Sequence, residues 1–331
     1  MRPYLASFRL FRQGEPLTPE LFDEVAAYLI PAMKGRVTRD APIAKLVSFR
    51  VGGPAAVLAE VEEEADLHAL HETSIKFSLP FLILGRGTNL LVSDQGFEGV
   101  VIRLAKSFGW IKVSEDDVAA GGGAALPQVA NRAARQRLAG LEFSVAIPAT
   151  VGGAVRMNAG AHGRCVADVL ETARVFHLAQ DRVEEMDCPG LDMTYRHTNL
   201  GSGDVVVSAS FRLAVGSESA IASSMEEYRA HRTATQPTDA PNAGSMFKNP
   251  PDLTAGYLIE SAGLKGHRLG GAQVSTKHAN FFLAHPGSTS QDVYDLMAKV
   301  QASVEESSGV VLVPEIRIVG RFLREERLQS R

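Results

Sequence analysis

Hydrophobic positions along this chain switch between a helical spacing and a strand-like spacing. Apolar residues recur three or four positions apart in the segments predicted as helices: 19–29, 63–77, 127–140, 221–236 and 290–308. Short runs rich in Val, Ile, Leu and Phe predict strands at residues 55–61, 80–85, 99–104, 174–179, 205–215 and 310–320. This order predicts a protein of mixed helices and strands.

Several residues mark where the predicted elements end. Thr18 is suited to cap the first helix because Pro19 follows it, and Ser290 is suited to cap the last helix. Gly309 predicts the end of that last helix. The loop at 238–245 is rich in Pro, Asp, Asn and Gly, and we interpret it as a domain junction.

Length, composition and charge exclude several classes of protein. A chain of 331 residues suggests roughly two domains at about 150 residues each. Its 34 basic and 38 acidic residues form no basic cluster, so we expect no nucleic-acid partner. No apolar stretch is long enough to span a bilayer, and the first twelve residues lack the apolar core of a signal peptide. We therefore expect a cytoplasmic protein without membrane insertion.

The two cysteines, Cys165 and Cys188, are too few for a disulfide framework, and their spacing does not suit a metal site. We interpret them as free thiols and expect no metal. Three glycine-rich segments are more informative: they span residues 84–89, 120–123 and 147–153, with 158–160 close behind the third. Glycine allows backbone N–H groups to approach an anion closely, so three such segments indicate a large phosphate-bearing ligand. None matches a phosphate-binding P-loop or a GxGxxG dinucleotide fingerprint.

Other polar clusters remain open to more than one interpretation. The loop at 242–250 contains Ser245 and Lys248, and the segment at 193–196 ends in Arg196. In the last predicted strand, Glu315 lies on the face opposite to Ile316. Each charged residue taken alone is typical of a solvated surface, and no nucleophile elbow is present.

Taken together, these segments resemble the UDP-N-acetylenolpyruvoylglucosamine reductase family. The matching stretches occur in the family's order and are SFRVGGPA (48–55), LGRGTNLLVSDQGFEGVVI (84–102), GLEFSVAIPATVGGAVRMNAGAHG (140–163), TYR (194–196), NAGSMFKNP (242–250), AGLKGHRLGGAQVSTKHANFF (262–282) and VPEIRIVG (313–320). They extend over nearly the whole chain from about residue 45 to 320.

The resemblance implies an α+β protein with an FAD-binding fold of the vanillyl-alcohol-oxidase or PCMH type and a smaller α/β substrate-binding domain. We expect the FAD-binding region at residues 1–218, as two subdomains at 1–105 and 106–218. The substrate domain is expected at 219–308, and 309–331 holds a final strand and a tail. FAD is expected to bind noncovalently, with NADPH as co-substrate and a monomer or weak dimer as the assembly.

The implied activity is reduction of UDP-N-acetylglucosamine enolpyruvate to UDP-N-acetylmuramate, a step of peptidoglycan precursor synthesis and thus of cell-wall biogenesis. The implied catalytic residues are Arg196, Ser245 and Glu315. The implied cofactor-binding residues are Arg50, Gly85, Arg86, Gly87, Thr88, Asn89, Gly122, Ile147, Pro148, Thr150, Val151, Gly152, Gly153, Asn158, Ala159 and Gly160. The implied substrate-binding residues are Tyr195, Lys248, Asn249, Lys277 and His278.

These residue types suit that reaction. An arginine can fork onto both oxygens of the substrate carboxylate as negative charge develops there. Glu315, if buried beside another carboxylate, would stay protonated and donate a hydrogen bond, and Ser245 would supply the proton to carbon. One pocket that serves NADPH and substrate in turn implies ping-pong kinetics.

The chain departs from the family pattern at three places. Ala149 stands where the family commonly has glycine, the FFLAHPG stretch replaces an asparagine-containing turn, and the short spacing from Arg196 to Ser245 indicates the type without a tyrosine-bearing covering loop. Two alternatives stay open: another FAD oxidase of the same fold superfamily that acts on an alcohol or sugar, and a nucleotide-sugar binding protein without activity.

Overall fold

The computed structural model describes residues 17–323 and residue 328. The predictions for the first twelve residues and for most of the tail at 324–331 therefore fall outside the described residues. The first part of the chain contains α1 (Pro19–Ala32), β1 (Arg36–Pro42), β2 (Pro54–Val61), α2 (Glu64–Phe77), β3 (Phe81–Ile83), β4 (Leu90–Val92) and β5 (Phe97–Leu104). Thr18 caps α1 as predicted, because its side chain accepts a hydrogen bond from the N–H of Leu21.

Strands of this first part form a mixed sheet in the order β1-β2-β5-β3. The strands β2 and β5 run parallel, so the chain must cross over between them, and α2 lies in that connection. Buried side chains of α1 and α2, such as Leu29 and Leu70, pack against Val57 and Ile102 of the sheet. The same core includes Phe176 from the next sheet, so the two sheets share one packed interior.

The second part of the chain forms a five-stranded sheet. Its elements are β6 (Ile111–Val113), β7 (Asp117–Gly121), α3 (Leu126–Arg135), β8 (Leu138–Ala139), α4 (Val151–Arg156), β9 (Gly160–Ala161), β10 (Arg164–Cys165), β11 (Leu170–His177), β12 (Arg182–Met186), β13 (Asp204–Arg212) and β14 (Ala214–Val215). The sheet order is β12-β11-β13-β7-β6, with every neighbouring pair antiparallel. A core with Phe143 and Phe211 fully buried joins α3 and α4 to this sheet.

The third part contains α5 (Glu218–Thr235), α6 (Ala255–Ser261), β15 (Arg268–Leu269), β16 (Ala272–Val274), β17 (Phe282–Ala284), α7 (Ser290–Ser308) and β18 (Arg317–Val319). The apolar face predicted for α7 is buried, and Leu296 and Met297 contact the same core as Phe282. Several contacts tie this part to the first, and two of them involve its last strand and its last helix. The strand β18 pairs in parallel with β4, and the Asp94 carboxylate accepts hydrogen bonds from the N–H groups of Ser290 and Gln291.

Three predictions of local structure were wrong in detail. The cap of α7 is Thr289 and not Ser290, because Thr289 and Asp292 form a reciprocal capping box. The helix α3 ends at Arg135, since Arg137 adopts a positive φ of 57° and the next two residues form β8. Only Arg317–Val319 of the predicted strand at 310–320 belongs to a sheet. The predicted C-cap at Gly309, with a φ of 73°, is confirmed.

No helix within residues 17–323 combines the length and the apolar character needed to cross a membrane. The domain boundaries at residues 218 and 308 stay predictions.

Candidate active site

The three glycine-rich segments meet in space although the chain separates them. A Cβ atom added to Gly85 would lie 2.6 Å from Oγ1 of Thr150, so the first and third segments touch there. The N–H of Gly152 donates a hydrogen bond of 2.9 Å to the carbonyl of Gly122, which joins the third segment to the second. Side chains at these glycines would push the segments apart.

The first segment, residues 84–89, presents unpaired backbone donors. The N–H groups of Arg86, Gly87 and Thr88 donate no hydrogen bond to any atom of residues 17–323. Gly87 has a φ of 62°, and an added Cβ would lie 2.5 Å from the carbonyl oxygen of Leu46. Consecutive free N–H groups in a turn of this kind make an anion-binding concavity.

The third segment turns into the short helix α4. Thr150 caps this helix, with its Oγ1 accepting a hydrogen bond of 3.2 Å from the N–H of Gly153. Gly152 packs so closely on β13 that an added Cβ would lie 3.2 Å from the carbonyl oxygen of Val206. The side chain of Val151 is fully buried in the core and so faces away from any ligand. Ile147, Pro148 and Ala159 are half-buried.

The second segment does not offer donors to an anion, which corrects part of the prediction. The N–H groups of Gly121, Gly122 and Gly123 donate to the carbonyls of Trp110, Val207 and Phe108. A Cβ added to Gly122 would lie 1.9 Å from the carbonyl oxygen of Val206. The glycines of this segment are therefore required for close backbone packing.

Asn158 connects the third segment to the predicted catalytic arginine. Its buried side chain donates 3.0 Å to the carbonyl of Thr194 and accepts 3.0 Å from the N–H of Ala167. Thr194 and His197 close a two-residue turn through reciprocal backbone hydrogen bonds, and Arg196 lies within that turn with a φ of 56°. Positive φ is uncommon for a non-glycine residue and is found preferentially at functional sites.

Arg196 and Glu315 form an ion pair. Nε of Arg196 lies 2.8 Å from Oε1 of Glu315, and the Nη2 of Arg196 donates 2.9 Å to the carbonyl of Gly160. Nη1 makes no hydrogen bond with residues 17–323. The guanidinium is thus fixed on two sides and keeps one nitrogen available.

Burial raises the pKa of the Glu315 carboxyl, and the nearby charges of Arg196 and Lys248 oppose this rise only in part. A neighbouring carboxylate was expected to keep Glu315 protonated, whereas the charged protein groups that act on Glu315 are the cations Arg196 and Lys248. Only 14% of the Glu315 side chain is exposed, so the loss of hydration dominates. Asn89, expected to bind the cofactor, donates 3.2 Å from its side chain to the Glu315 carbonyl.

Ser245 lies on the segment next to Glu315. The N–H of Glu315 donates 2.8 Å to the carbonyl of Met246, so the two predicted catalytic residues belong to adjacent extended segments. Ser245 also pairs with Phe281 through an isolated bridge. Gly244, with a φ of 78°, provides the turn before the serine. The structure thus brings Arg196, Ser245 and Glu315 to one region.

The predicted substrate-binding residues lie around this region in different environments. Tyr195 is 56% exposed, and its ring centre lies 5.5 Å from the guanidinium carbon of Arg196. Lys248 is close enough to affect the pKa of Glu315, while Lys277 is exposed and donates to the carbonyl of Thr233. Asn249 is exposed and accepts a hydrogen bond from the N–H of Ala255.

His278 and Arg50 complete the predicted residues. His278 accepts 3.2 Å through Nδ1 from the N–H of Asn280, and burial lowers its pKa. Arg50 is exposed, with a φ of 57°, and follows the loop at 46–47 against which Gly87 packs. Asn280 was not predicted as a site residue although it belongs to the quoted KHANF stretch. Its buried hydrogen bonds to Phe247 depend on partners far away in sequence.

Comparisons with known proteins agree with this geometry. A family model described as the C-terminal domain of UDP-N-acetylenolpyruvoylglucosamine reductase matches residues 236–319, and a model of an FAD binding domain matches residues 55–186. These matches, with the mixed sheets described above, confirm the predicted fold class.

Relatives match nearly the full length. UDP-N-acetylenolpyruvoylglucosamine reductase 2 of Symbiobacterium thermophilum is 45% identical over 288 residues, which cover 86% of this chain and 93% of the relative. Reductase 1 of Bacillus cereus is 38% identical over 301 residues, or 90% of this chain and all of the relative. The crystal structure of the corresponding reductase from Thermus caldophilus superimposes with a TM-score of 0.76 at 35% identity, covering 86% of this chain and 100% of that one.

Proposed function

The chain belongs to the UDP-N-acetylenolpyruvoylglucosamine reductase family, and from this membership we propose that it reduces UDP-N-acetylglucosamine enolpyruvate to UDP-N-acetylmuramate. It is an FAD-dependent oxidoreductase of peptidoglycan precursor synthesis that uses NADPH. The observation that carries the proposed site is the half-buried pair of Arg196 and Glu315 beside the Ser245 segment. Arg196 donates a hydrogen bond to Gly160, which lies close behind the third glycine-rich segment. Glu315 accepts one through its carbonyl from Asn89 of the first segment.

The first glycine-rich segment fits the pyrophosphate of FAD. Three successive N–H groups, at Arg86, Gly87 and Thr88, have no partner in the described part of the chain, and a pyrophosphate needs several such donors. The close approach of Gly85 to Thr150 leaves no space there for a side chain. We assign the pyrophosphate to residues 85–89 and the ring system to the third segment, around 147–153 and 158–160. Residues 84–89 contain no cysteine or histidine that could tether FAD covalently.

When bound and reduced by NADPH, FAD would supply the hydride that the terminal vinyl carbon of the substrate accepts. Negative charge then develops on the neighbouring carbon and its carboxylate. Arg196 is placed to bind that carboxylate through Nη1, because Nε and Nη2 are already held by Glu315 and Gly160. A guanidinium fixed in advance needs no reorganisation as the charge develops.

Glu315 acts as a hydrogen-bond donor in this proposal. Its raised pKa favours the protonated form, which donates a hydrogen bond and does not repel the developing anion. Arg196 stabilises the ionised form when no substrate is bound, and the substrate carboxylate would compete with Glu315 for the same guanidinium. Binding of the substrate therefore favours protonation of Glu315 further.

Ser245 is proposed to deliver the proton to the carbon next to the carboxylate. The carbon is strongly basic at that point, so a hydroxyl is acidic enough to protonate it. Ser245 lies on a segment fixed on both sides, by Phe281 and by the hydrogen bond between Glu315 and Met246. Delivery from a fixed position protonates one face of the carbon.

The surrounding residues are proposed to recognise the nucleotide sugar. Lys248 and Lys277 provide positive charge for the diphosphate, and Asn249, Tyr195 and His278 provide polar and aromatic contacts. The domain boundaries at 218 and 308, the monomer or weak dimer and the cytoplasmic location belong to the same proposal.

Anaerobic reduction of the holoenzyme tests the function directly. NADPH should bleach the flavin absorbance, and UDP-N-acetylglucosamine enolpyruvate should restore it with formation of UDP-N-acetylmuramate. Reoxidation by oxygen but not by the enolpyruvyl compound would indicate an oxidase. Binding of the substrate without any flavin reduction by NADPH would indicate a binding protein.

A further inference from the structure

Asn280 makes three hydrogen bonds with the Ser245 loop. Its side chain accepts 3.0 Å from the N–H of Phe247 and donates 2.8 Å to the carbonyl of the same residue. Its backbone carbonyl accepts 2.8 Å from the N–H of Met246. Asn280 is only 3% exposed, so these bonds form away from water.

The segment that Asn280 holds connects the two predicted catalytic groups of this part of the chain. Ser245 precedes it directly, and the N–H of Glu315 bonds to the carbonyl of Met246. The N–H of Lys248 also bonds to the carbonyl of Val313, 2.8 Å away. The separation between Ser245 and Glu315 is therefore set through residues 246–248.

The chemistry of an amide explains why this position needs asparagine. One short side chain must supply both a donor and an acceptor to the two backbone groups of Phe247. Removal of either function leaves a buried polar group without its partner, which the segment can relieve only by moving. The backbone N–H of Asn280 is itself bonded to Nδ1 of His278, so the amide cannot follow such a movement freely.

We propose that Asn280 is a positioning residue for proton delivery, which fixes the Ser245 hydroxyl relative to Glu315 and to the carbon that accepts the proton. This inference rests on the proposed function. It assigns Asn280 no contact with the substrate or with FAD. A displacement of about 1 Å is enough to slow a proton transfer by roughly 10²-fold.

The test compares Asn280→Asp and Asn280→Ala with the parent holoenzyme in separate half-reactions. Stopped-flow flavin absorbance measures reduction by NADPH and then reoxidation by UDP-N-acetylglucosamine enolpyruvate. We expect reoxidation to slow by about 10²-fold in both variants, with reduction by NADPH within about twofold of the parent. Val304→Ala removes buried volume from α7 in the same core and serves as the control. It should lower the thermal midpoint and leave both half-reactions unchanged.

The pH dependence separates positioning from a merely structural role. The aspartate variant loses the donor to Phe247, but a protonated carboxyl regains one. Its reoxidation rate relative to the parent should therefore rise as the pH falls, whereas that of Asn280→Ala should stay constant. If Asn280→Ala does not fold, the nearly isosteric Asn280→Asp variant is sufficient for the test. The measurement is then the pH dependence of its reoxidation rate relative to that of the parent.

Two outcomes would overturn the inference: reoxidation at the parent rate in both variants, or an equal loss in both half-reactions with no recovery of Asn280→Asp at acid pH. A parent enzyme that is not reoxidised by the enolpyruvyl compound would instead contradict the proposed function itself. The two failures are thus distinguishable.

Discussion

Nε of Arg196 donates a hydrogen bond of 2.8 Å to Oε1 of Glu315, although 119 positions separate the two residues. The pair joins the turn at 194–197 to the segment that pairs with the Ser245 loop. A half-buried ion pair of this kind adds little net stability, because desolvation offsets most of its attraction. Its value here lies in orienting the guanidinium before the substrate arrives.

Arg196→Lys tests the importance of that orientation. A lysine keeps the positive charge but cannot bond to Glu315, to Gly160 and to a carboxylate in the same geometry. Reoxidation by the enolpyruvyl substrate should slow by about 10²- to 10³-fold, as expected for a lost oxyanion donor. Arg212→Lys is a suitable control because Arg212 lies in an exposed ion-pair network on the second sheet. If Arg196→Lys is reoxidised at the parent rate, as the control is, then a guanidinium fixed in this orientation is not required for the reaction.

Three substitutions of Glu315 separate hydrogen bonding from proton donation. Glu315→Gln should keep much of the activity that Glu315→Ala and Glu315→Asp lose, since an amide also donates without charge. Turnover of the enolpyruvyl substrate is measured in all three variants, with Glu260→Gln as a control at an exposed carboxylate. An equal loss in the three variants would exclude a neutral hydrogen-bond donor as the main role.

The same role predicts a pH dependence of reoxidation. Because the pKa of Glu315 is raised, the neutral form persists above the ordinary range of a carboxyl and ionises as the pH rises further. The reoxidation rate should therefore fall as the pH rises through this elevated pKa, and Glu315→Gln should lack that decline. A parent rate that does not change with pH over this range contradicts the prediction.

Ser245→Ala tests proton delivery to carbon. The change removes one hydroxyl from a loop, so the fold and the flavin content should change little. Reduction by NADPH requires no protonation of carbon and should stay near the parent rate, while reoxidation should slow by about 10²- to 10⁴-fold. Stopped-flow flavin absorbance measures the two steps separately, and Ser208→Ala, a buried serine of β13, is the control. Reoxidation at the parent rate, or an equal slowing of both steps, would mean that Ser245 is not the proton donor and that another group supplies the proton.

Gly87→Ala tests the packing of the first glycine-rich segment. The new Cβ would lie 2.5 Å from the carbonyl oxygen of Leu46, and the residue would have to adopt a positive φ. Steric overlap and backbone strain should therefore both destabilise the variant. We expect a loss of about 2–4 kcal/mol in the free energy of unfolding and a lower FAD content. Gly309→Ala introduces the same side chain at a φ of 73° with no atom within 4 Å, and should cost only about 1 kcal/mol with FAD retained. Urea unfolding and flavin absorbance per protein measure both effects, and an equal effect of the two substitutions would show that strain alone matters.

The sequence supported the fold class and the long elements because their patterns are local. The buried face of α7 and the caps at Thr18 and Gly309 follow from residues close together in the chain. The motif resemblance also identified Arg196, Ser245 and Glu315, which the structure brings together.

Details that depend on distant partners could not be predicted. The segment at 313–315 pairs with the Ser245 loop, so it does not extend the strand that its alternation suggested. In the sequence, Gly122 and Gly87 both lie in glycine-rich segments and both suggested anion binding. In the structure, Gly122 packs against the carbonyl of Val206 and donates its N–H to the carbonyl of Val207, so it serves backbone packing. Asn280 shows the same limitation, since its function depends on its contacts with Phe247.

The parallel pairing of β4 with β18 has a consequence for synthesis of the chain. Glu315 lies 226 positions after Asn89 in the chain. At 5–20 residues per second, the ribosome needs about 10–45 s to synthesise the residues between them. During that interval the edge of β4 lacks its partner strand and is exposed to pairing with other chains. A ribosome-bound chain can therefore form its three glycine-rich segments well before Glu315 has been synthesised, and the Arg196–Glu315 pair is completed last.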